Sequence, residues 1–108
     1  MEYKGYKDLE CYKQARLLRI FISELVKKFP SEEKYLLTKQ IVESSRSVTT
    51  NIAEGYGRFT YTETRHFFII GRGSTTETME HLSTAFDEKY INEDELSKGE
   101  KNTKSLSS

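Results

Sequence analysis

Apolar residues recur at every third or fourth position through most of this chain, and no stretch of useful length alternates apolar with polar side chains as a half-buried strand would. The fold class that follows is all-α. At about 100° per residue, Cys11, Ala15, Leu18, Ile22, Leu25 and Phe29 fall on one narrow stripe, with Lys13, Arg16, Ser23 and Lys27 opposite, which predicts a helix over 9–29. Leu9, Leu17 and Ile20 lie off that stripe and Phe21 sits at its margin. They read either as the scattered aliphatics common on protein surfaces or as a second apolar strip used in self-association.

Pro30, the only proline, ends this helix, and Ser31-Glu32-Glu33 supplies a hydroxyl cap and two first-turn acids for the next. The second helix is predicted over 32–54, with Leu37, Ile41, Ser45, Val48 and Ile52 on one face and Ser44 at its edge. Gly55 is placed to end it in a left-handed conformation. Thr60 and Glu63 have capping-box spacing and open a third helix over 61–89. Its broad buried arc takes in Phe67, Phe68, Ile70, Thr75, Met79, Leu82, Ala85 and Phe86. Gly71 and Gly73 inside it each forgo about 1 kcal/mol of helix propensity relative to Ala. Close approach of Gly71 and Ser74 to Ser44 and Ser45 would offset that and make helices two and three the tight pair. Beyond residue 91 only Leu96 and Leu106 are large and apolar. Residues 1–91 therefore read as the bundle and 92–108 as a polar tail, either a short helix or disordered.

Size and charge narrow the function. The 108 residues and 12.6 kDa fit one domain with a modest core, which excludes a second catalytic domain and a large enclosed substrate cavity. The 17 basic and 17 acidic side chains cancel, so an electrostatic partner must be met by a local patch. The single Cys11 cannot form an intramolecular disulfide. The first residues lack the apolar run of a signal peptide, and the longest apolar stretches, 17–22 and 67–70, fall far short of the ~20 residues that span a bilayer. The expectation is a cytoplasmic protein with no membrane partner.

No set of residues converges on catalysis. His66 and His81 stand fifteen positions apart, too far for an i, i+4 ligand pair, and no cysteine cluster assists them; no metal and no cofactor is expected. Cys11 lies on the apolar stripe and reads as a packed thiol, and the many Ser and Thr hydroxyls have no placed base. Gly55-x-Gly57 follows a helix and precedes neither a third glycine nor a Lys-Ser/Thr pair, so it is not a nucleotide loop. Arg58, with the free N–H groups opening the third helix, could hold one phosphate. The simpler reading pairs Arg58 with Glu54 or Glu63. Neither a catalytic residue nor a small-molecule substrate is expected.

Several strings line up with one family: Tyr6-Lys7-Asp8-Leu9-Glu10, Tyr12-Lys13-Gln14-Ala15, Phe29-Pro30, and above all Asn51-Ile52-Ala53-Glu54-Gly55-Tyr56-Gly57-Arg58, followed by Glu63, Phe67, Gly73-Ser74, Glu77 and Tyr90-Ile91. The chain resembles the bacterial four-helix-bundle family that includes proteins encoded within intervening sequences of large-subunit rRNA genes, often labelled ribosomal proteins. It is more remotely similar to the accessory protein of diversity-generating retroelements. The resemblance implies an antiparallel up-down bundle of the four-helix type, association into a ring (pentamers occur in the family), a role with RNA or a ribonucleoprotein, and no catalysis. Three positions depart from the family pattern: Val42 and Glu43 replace paired arginines, Thr49 replaces a proline, and the fourth helix is weak or incomplete.

Basic residues at heptad spacing supply the functional expectation. Lys39 and Arg46 are seven apart on helix two, and Arg58, Arg65 and Arg72 form a second series at sevens leading into helix three. If those helices lie side by side, the five cations form one strip, repeated around an oligomer, that binds RNA phosphates by counterion release. Asn51, Glu54, Gly55, Gly57, Gly73, Ser74 and Glu77 read as a structural motif of polar or inter-subunit contacts, with Glu77 reaching helix two. The alternative function is a homo-oligomeric scaffold for a protein partner, using Leu17, Ile20 and Phe21.

Overall fold

A computed structural model describes residues 5–107, with the side chain of Ser107 excluded. The chain is an all-α antiparallel bundle of four helices, α1 (Glu10–Leu25), α2 (Leu37–Tyr56), α3 (Tyr61–Asp87) and α4 (Glu93–Ser107). Each helix packs on its neighbours in chain order, and α4 closes the bundle against α1.

Helix α1 buries the expected stripe with one substitution. Ala15, Leu18, Ile22 and Leu25 are buried, but Tyr12 takes the place of Cys11, which is half-buried. The α-helix ends at Leu25 rather than Phe29; a 3₁₀ turn (Val26–Lys28) follows, and the buried Phe29 lies beyond it in extended backbone. Burial raises the Cys11 thiol above its ordinary pKa, in keeping with a packed, unreactive group. Leu17 and Ile20 stand exposed, while Phe21 packs against the core.

Helix α2 begins five residues later than its sequence pattern predicts. Ser31–Glu33 form a separate 3₁₀ turn, and Ser31 makes no capping bond. The acids serve α2 at a distance: Glu33 Oε1 accepts from the Leu37 N–H at 3.2 Å, and Glu33 Oε2 accepts from the Tyr90 hydroxyl at 2.8 Å. The second bond pushes the Tyr90 pKa up to about 12. At the other end α2 runs through Gly55 to Tyr56, and no glycine has positive φ. Gly55 is there for space: a Cβ would lie 2.7 Å from the Phe68 ring.

Helices α2 and α3 share the largest interface, as expected, but one turn out of the expected register. Ser44 meets Thr78 and Ser47 meets Ser74, both at 2.8 Å, while Gly71 faces Val48 and Asn51. One hydroxyl of the Ser44–Thr78 pair donates across the seam while the other donates to a carbonyl of its own helix, Ile41 for Ser44 or Ser74 for Thr78, so this buried seam is satisfied. Gly73 has no such role, because a Cβ there would meet nothing within 4 Å. Gly73→Ala is expected to raise stability by about 1 kcal/mol through helix propensity, measurable as a higher urea midpoint at unchanged slope.

The first turns of α3 correct a second expectation. Thr60 caps the helix by accepting from the Glu63 N–H, as its spacing predicts. Phe68 and Ile70, assigned to the buried arc, are 37% and 40% exposed, and Ile69 is 50% exposed. At about 1.5 Å per residue the 27-residue α3 is nearly twice as long as the 15-residue α4, so its first turns outrun the partner that would cover them.

The segment from residue 92 is a helix, not a frayed or disordered tail. Asn92 Oδ1 accepts from the Glu95 N–H at 2.9 Å and Glu95 Oε1 accepts from the Asn92 N–H at 2.8 Å, a reciprocal cap. Leu96, Gly99, Thr103 and Leu106 then share one inward face, with Thr103 fully buried. A search for large apolar residues passes over this stripe because two of its four members are small. Lys28, in the 3₁₀ turn Val26–Lys28 that follows α1, binds Glu95 at 2.7 Å and ties α4 to that turn. That bond, followed by the Asn92 N–H, holds the Glu95 carboxyl below its ordinary pKa of 4.5. A depressed folded-state pKa gives stability that is present above the unfolded value and lost as pH falls through the folded one. Acid unfolding should therefore be less steep below pH ~4.5 in Glu95→Gln than in the parent.

Candidate nucleic-acid interface

The five cations expected to form one strip are not brought together. On α3 the edge facing α2 is marked by Gly71, Ser74 and Thr78. Arg72 lies about 100° round from Gly71, on the side turned toward α4, where it lines a cavity of about 90 Å³ with Cys11, Phe68 and Leu106. Arg65, seven residues earlier, shares that side. Arg46 and Lys39 occupy the outer side of α2, exposed to solvent.

Two of the five already have anionic neighbours. Lys39 pairs with Glu43 at 3.5 Å. Arg58 pairs with Glu54 at 2.8 Å and lies 4.5 Å above the Phe67 ring, so the simpler reading of Arg58 is the one observed. The structural motif also divides. Asn51 donates to the Ser47 carbonyl and hydroxyl within α2, Ser74 reaches across to Ser47, and Gly57 follows the last turn of α2. Glu77 does not reach α2; it is exposed and bonds His81 at 3.3 Å, one turn along α3.

A different basic site forms where α1 and α2 run side by side. Arg19 of α1 donates from Nη1 to Thr49 Oγ1 at 3.1 Å, a bond that spans thirty residues of sequence. Around it opens a cleft of about 240 Å³, lined by Tyr6, Tyr12, Arg19, Thr49, Thr50, Ala53 and Glu54. Tyr6 is held edge-on by two rings, Tyr12 at 5.0 Å and Tyr56 at 6.5 Å. Arg16 stands one turn from Arg19, and Arg46 one turn from Thr49, whose hydroxyl donates to the Arg46 carbonyl at 3.0 Å. Arg16 and Arg46 are exposed, and neither forms an ion pair among the described residues.

This face has the two elements that bind single-stranded or looped RNA: cations free to neutralise phosphates and an aromatic-walled cleft. Of its residues, only Arg46 carried a functional expectation from sequence. Arg16 was placed on the outer face of its helix, but the part that Arg19 takes with α2 depends on the fold. Among the described residues no cluster of three or more His, Cys, Asp or Glu could hold a metal ion, and no helix is long and apolar enough to cross a membrane.

Compared with known families, residues 7–108 match the family described as 23S rRNA-intervening sequence protein, the one that the Asn51-to-Arg58 string resembles. No curated protein matches the chain.

Proposed function

Because the chain belongs to the 23S rRNA-intervening sequence protein family, we propose that it is a non-catalytic RNA-binding bundle whose α1–α2 face docks structured RNA. The observation that supports this reading is that Arg19 lines the α1–α2 cleft while Arg16 and Arg46, each one turn from a cleft residue, are exposed and form no ion pair among the described residues. An unpaired surface arginine has no competing intramolecular carboxylate to give up when a phosphate arrives, whereas Lys39 and Arg58 do. Each neutralised phosphate releases a counterion, so three contacts per protomer predict that log K falls with log salt at a slope of about −2 to −3. Fluorescence anisotropy of labelled RNA hairpins across a salt series tests this; a flat dependence, or no binding at low salt, refutes it.

Exposed apolar residues favour self-association of the same molecule. Leu17 and Ile20 on α1, and Phe68, Ile69 and Ile70 on α3, are each 37–51% exposed. An oligomer that covers them would repeat the arginine face around its rim and multiply RNA affinity by avidity. Light scattering at low and high salt reads the assembly directly. A stable oligomer indifferent to RNA would favour the protein-scaffold function instead.

A further inference from the structure

The α1–α2 cleft contains a placed acceptor as well as donors, and phosphate binding uses only the donors. We infer that this cleft receives one unpaired guanine base, an assignment that rests on the RNA-binding reading above. Its volume of about 240 Å³ falls below the roughly 300–1,000 Å³ of sites for drug-sized ligands and suits a single planar heterocycle.

Two polar side chains that line the cleft, Arg19 and Glu54, select the base. Arg19 is anchored to Thr49 through one N–H and keeps four donors. Glu54 lies five residues further along α2, about 7.5 Å by helical rise. Its Oε2 accepts from Arg58, and its Oε1 has no partner among the described residues. An ionised carboxylate only accepts, and each oxygen has room for two bonds. Guanine alone places two adjacent donors, N1–H and the N2 amine, on its Watson–Crick edge, and its O6 and N7 accept from a guanidinium. Adenine N1 and cytosine N3 would set a lone pair against the carboxylate. Uracil offers one N–H flanked by two carbonyl oxygens. Those mismatches reject the other bases as much as the matches attract guanine.

Tyr6 provides the stacking surface. It is half-buried and held by Tyr12 and Tyr56, so little side-chain freedom is lost when a base arrives. The exposed Thr50 stands at the cleft with no side-chain hydrogen bond among the described residues, so it can be changed without removing a contact seen there.

The test uses the intact protein and three RNA hairpins that differ only in one central loop base: guanine, inosine or adenine. Guanine is expected to bind about tenfold more tightly than inosine, which lacks the N2 amine, and than adenine. Thr50→Trp fills the cleft and should bring the three hairpins within twofold of one another while salt-dependent binding persists. Glu54→Gln should shrink the guanine-over-inosine ratio. Competition by guanosine monophosphate against adenosine monophosphate gives a second reading that needs no variant. Salt-dependent binding with equal affinity for the three loops overturns the guanine assignment and leaves the RNA-binding reading in place. A guanine preference untouched by Thr50→Trp also overturns it, and no binding of any hairpin overturns both.

Discussion

Arg16→Glu combined with Arg46→Glu is expected to weaken binding of structured RNA by roughly 30- to 100-fold near 0.15 M salt. With a slope of about −0.9 per phosphate, each lost contact is worth close to fivefold at that salt, and reversing the charge adds repulsion. The slope of log K against log salt should also flatten by about two. Because neither side chain forms an ion pair or hydrogen bond among the described residues, thermal stability should change by less than about 0.5 kcal/mol. Anisotropy titrations of the parent and the double variant, with melting curves as the folding control, read both effects. Reversal of Arg65 and Arg72 is the informative comparison, since these lie on the α4 side of α3. A larger loss from that pair than from Arg16 and Arg46 would move the RNA to the opposite side of the bundle.

Leu82→Ala is expected to remove about 2–5 kcal/mol of a total stability that for a domain this size is about 5–15 kcal/mol. Leu82 is fully buried in the main core cluster with Leu18, Ile22 and Ile41. Its Cδ1 lies 2.6 Å from where a Cβ on Gly99 would be, so α4 rests directly on this side chain. Truncation leaves a void that Gly99 has no atoms to fill, and relaxation can only come from moving α4 as a body. Urea unfolding measures the loss. The same contact predicts a sign change at Gly99: Gly99→Ala destabilises the parent, because Leu82 cannot move aside in a close-packed interior, and is neutral or favourable in the Leu82→Ala background. The double-mutant cycle of these two positions reports the coupling.

The helices could be read from sequence wherever large side chains marked the buried face, and missed where small ones did. The α1 stripe, the Thr60–Glu63 cap and the α2–α3 pairing needed only local periodicity and hydrogen-bond chemistry. Helix α4 was hidden because Gly99 and Thr103, half of its inward face, carry little hydrophobic signal. Phe68 and Ile70 misled in the opposite sense, since hydropathy marks a residue as able to be buried but does not say whether a partner helix extends far enough to bury it. The candidate site was the least legible part. Heptad spacing shows that Arg65 and Arg72 share a face of α3 but not which neighbour that face meets. The Arg19–Thr49 contact joins residues on different helices whose local patterns give no hint of each other.

The unequal lengths of α3 and α4 also divide the chain in time. A backbone amide in the middle of α3, near the fully buried Thr75, Thr78 and Leu82, is expected to exchange its proton with solvent only when the whole bundle opens. Amides near Phe67, Phe68, Ile69 and Ile70 lie in turns that α4 does not cover and are expected to exchange through local opening at lower free energy. One continuous helix is thus expected to contain two stability regimes, and its less covered end carries the exposed apolar side chains. A partner that docks there would slow exchange at that end alone, leaving the core amides at their global rate.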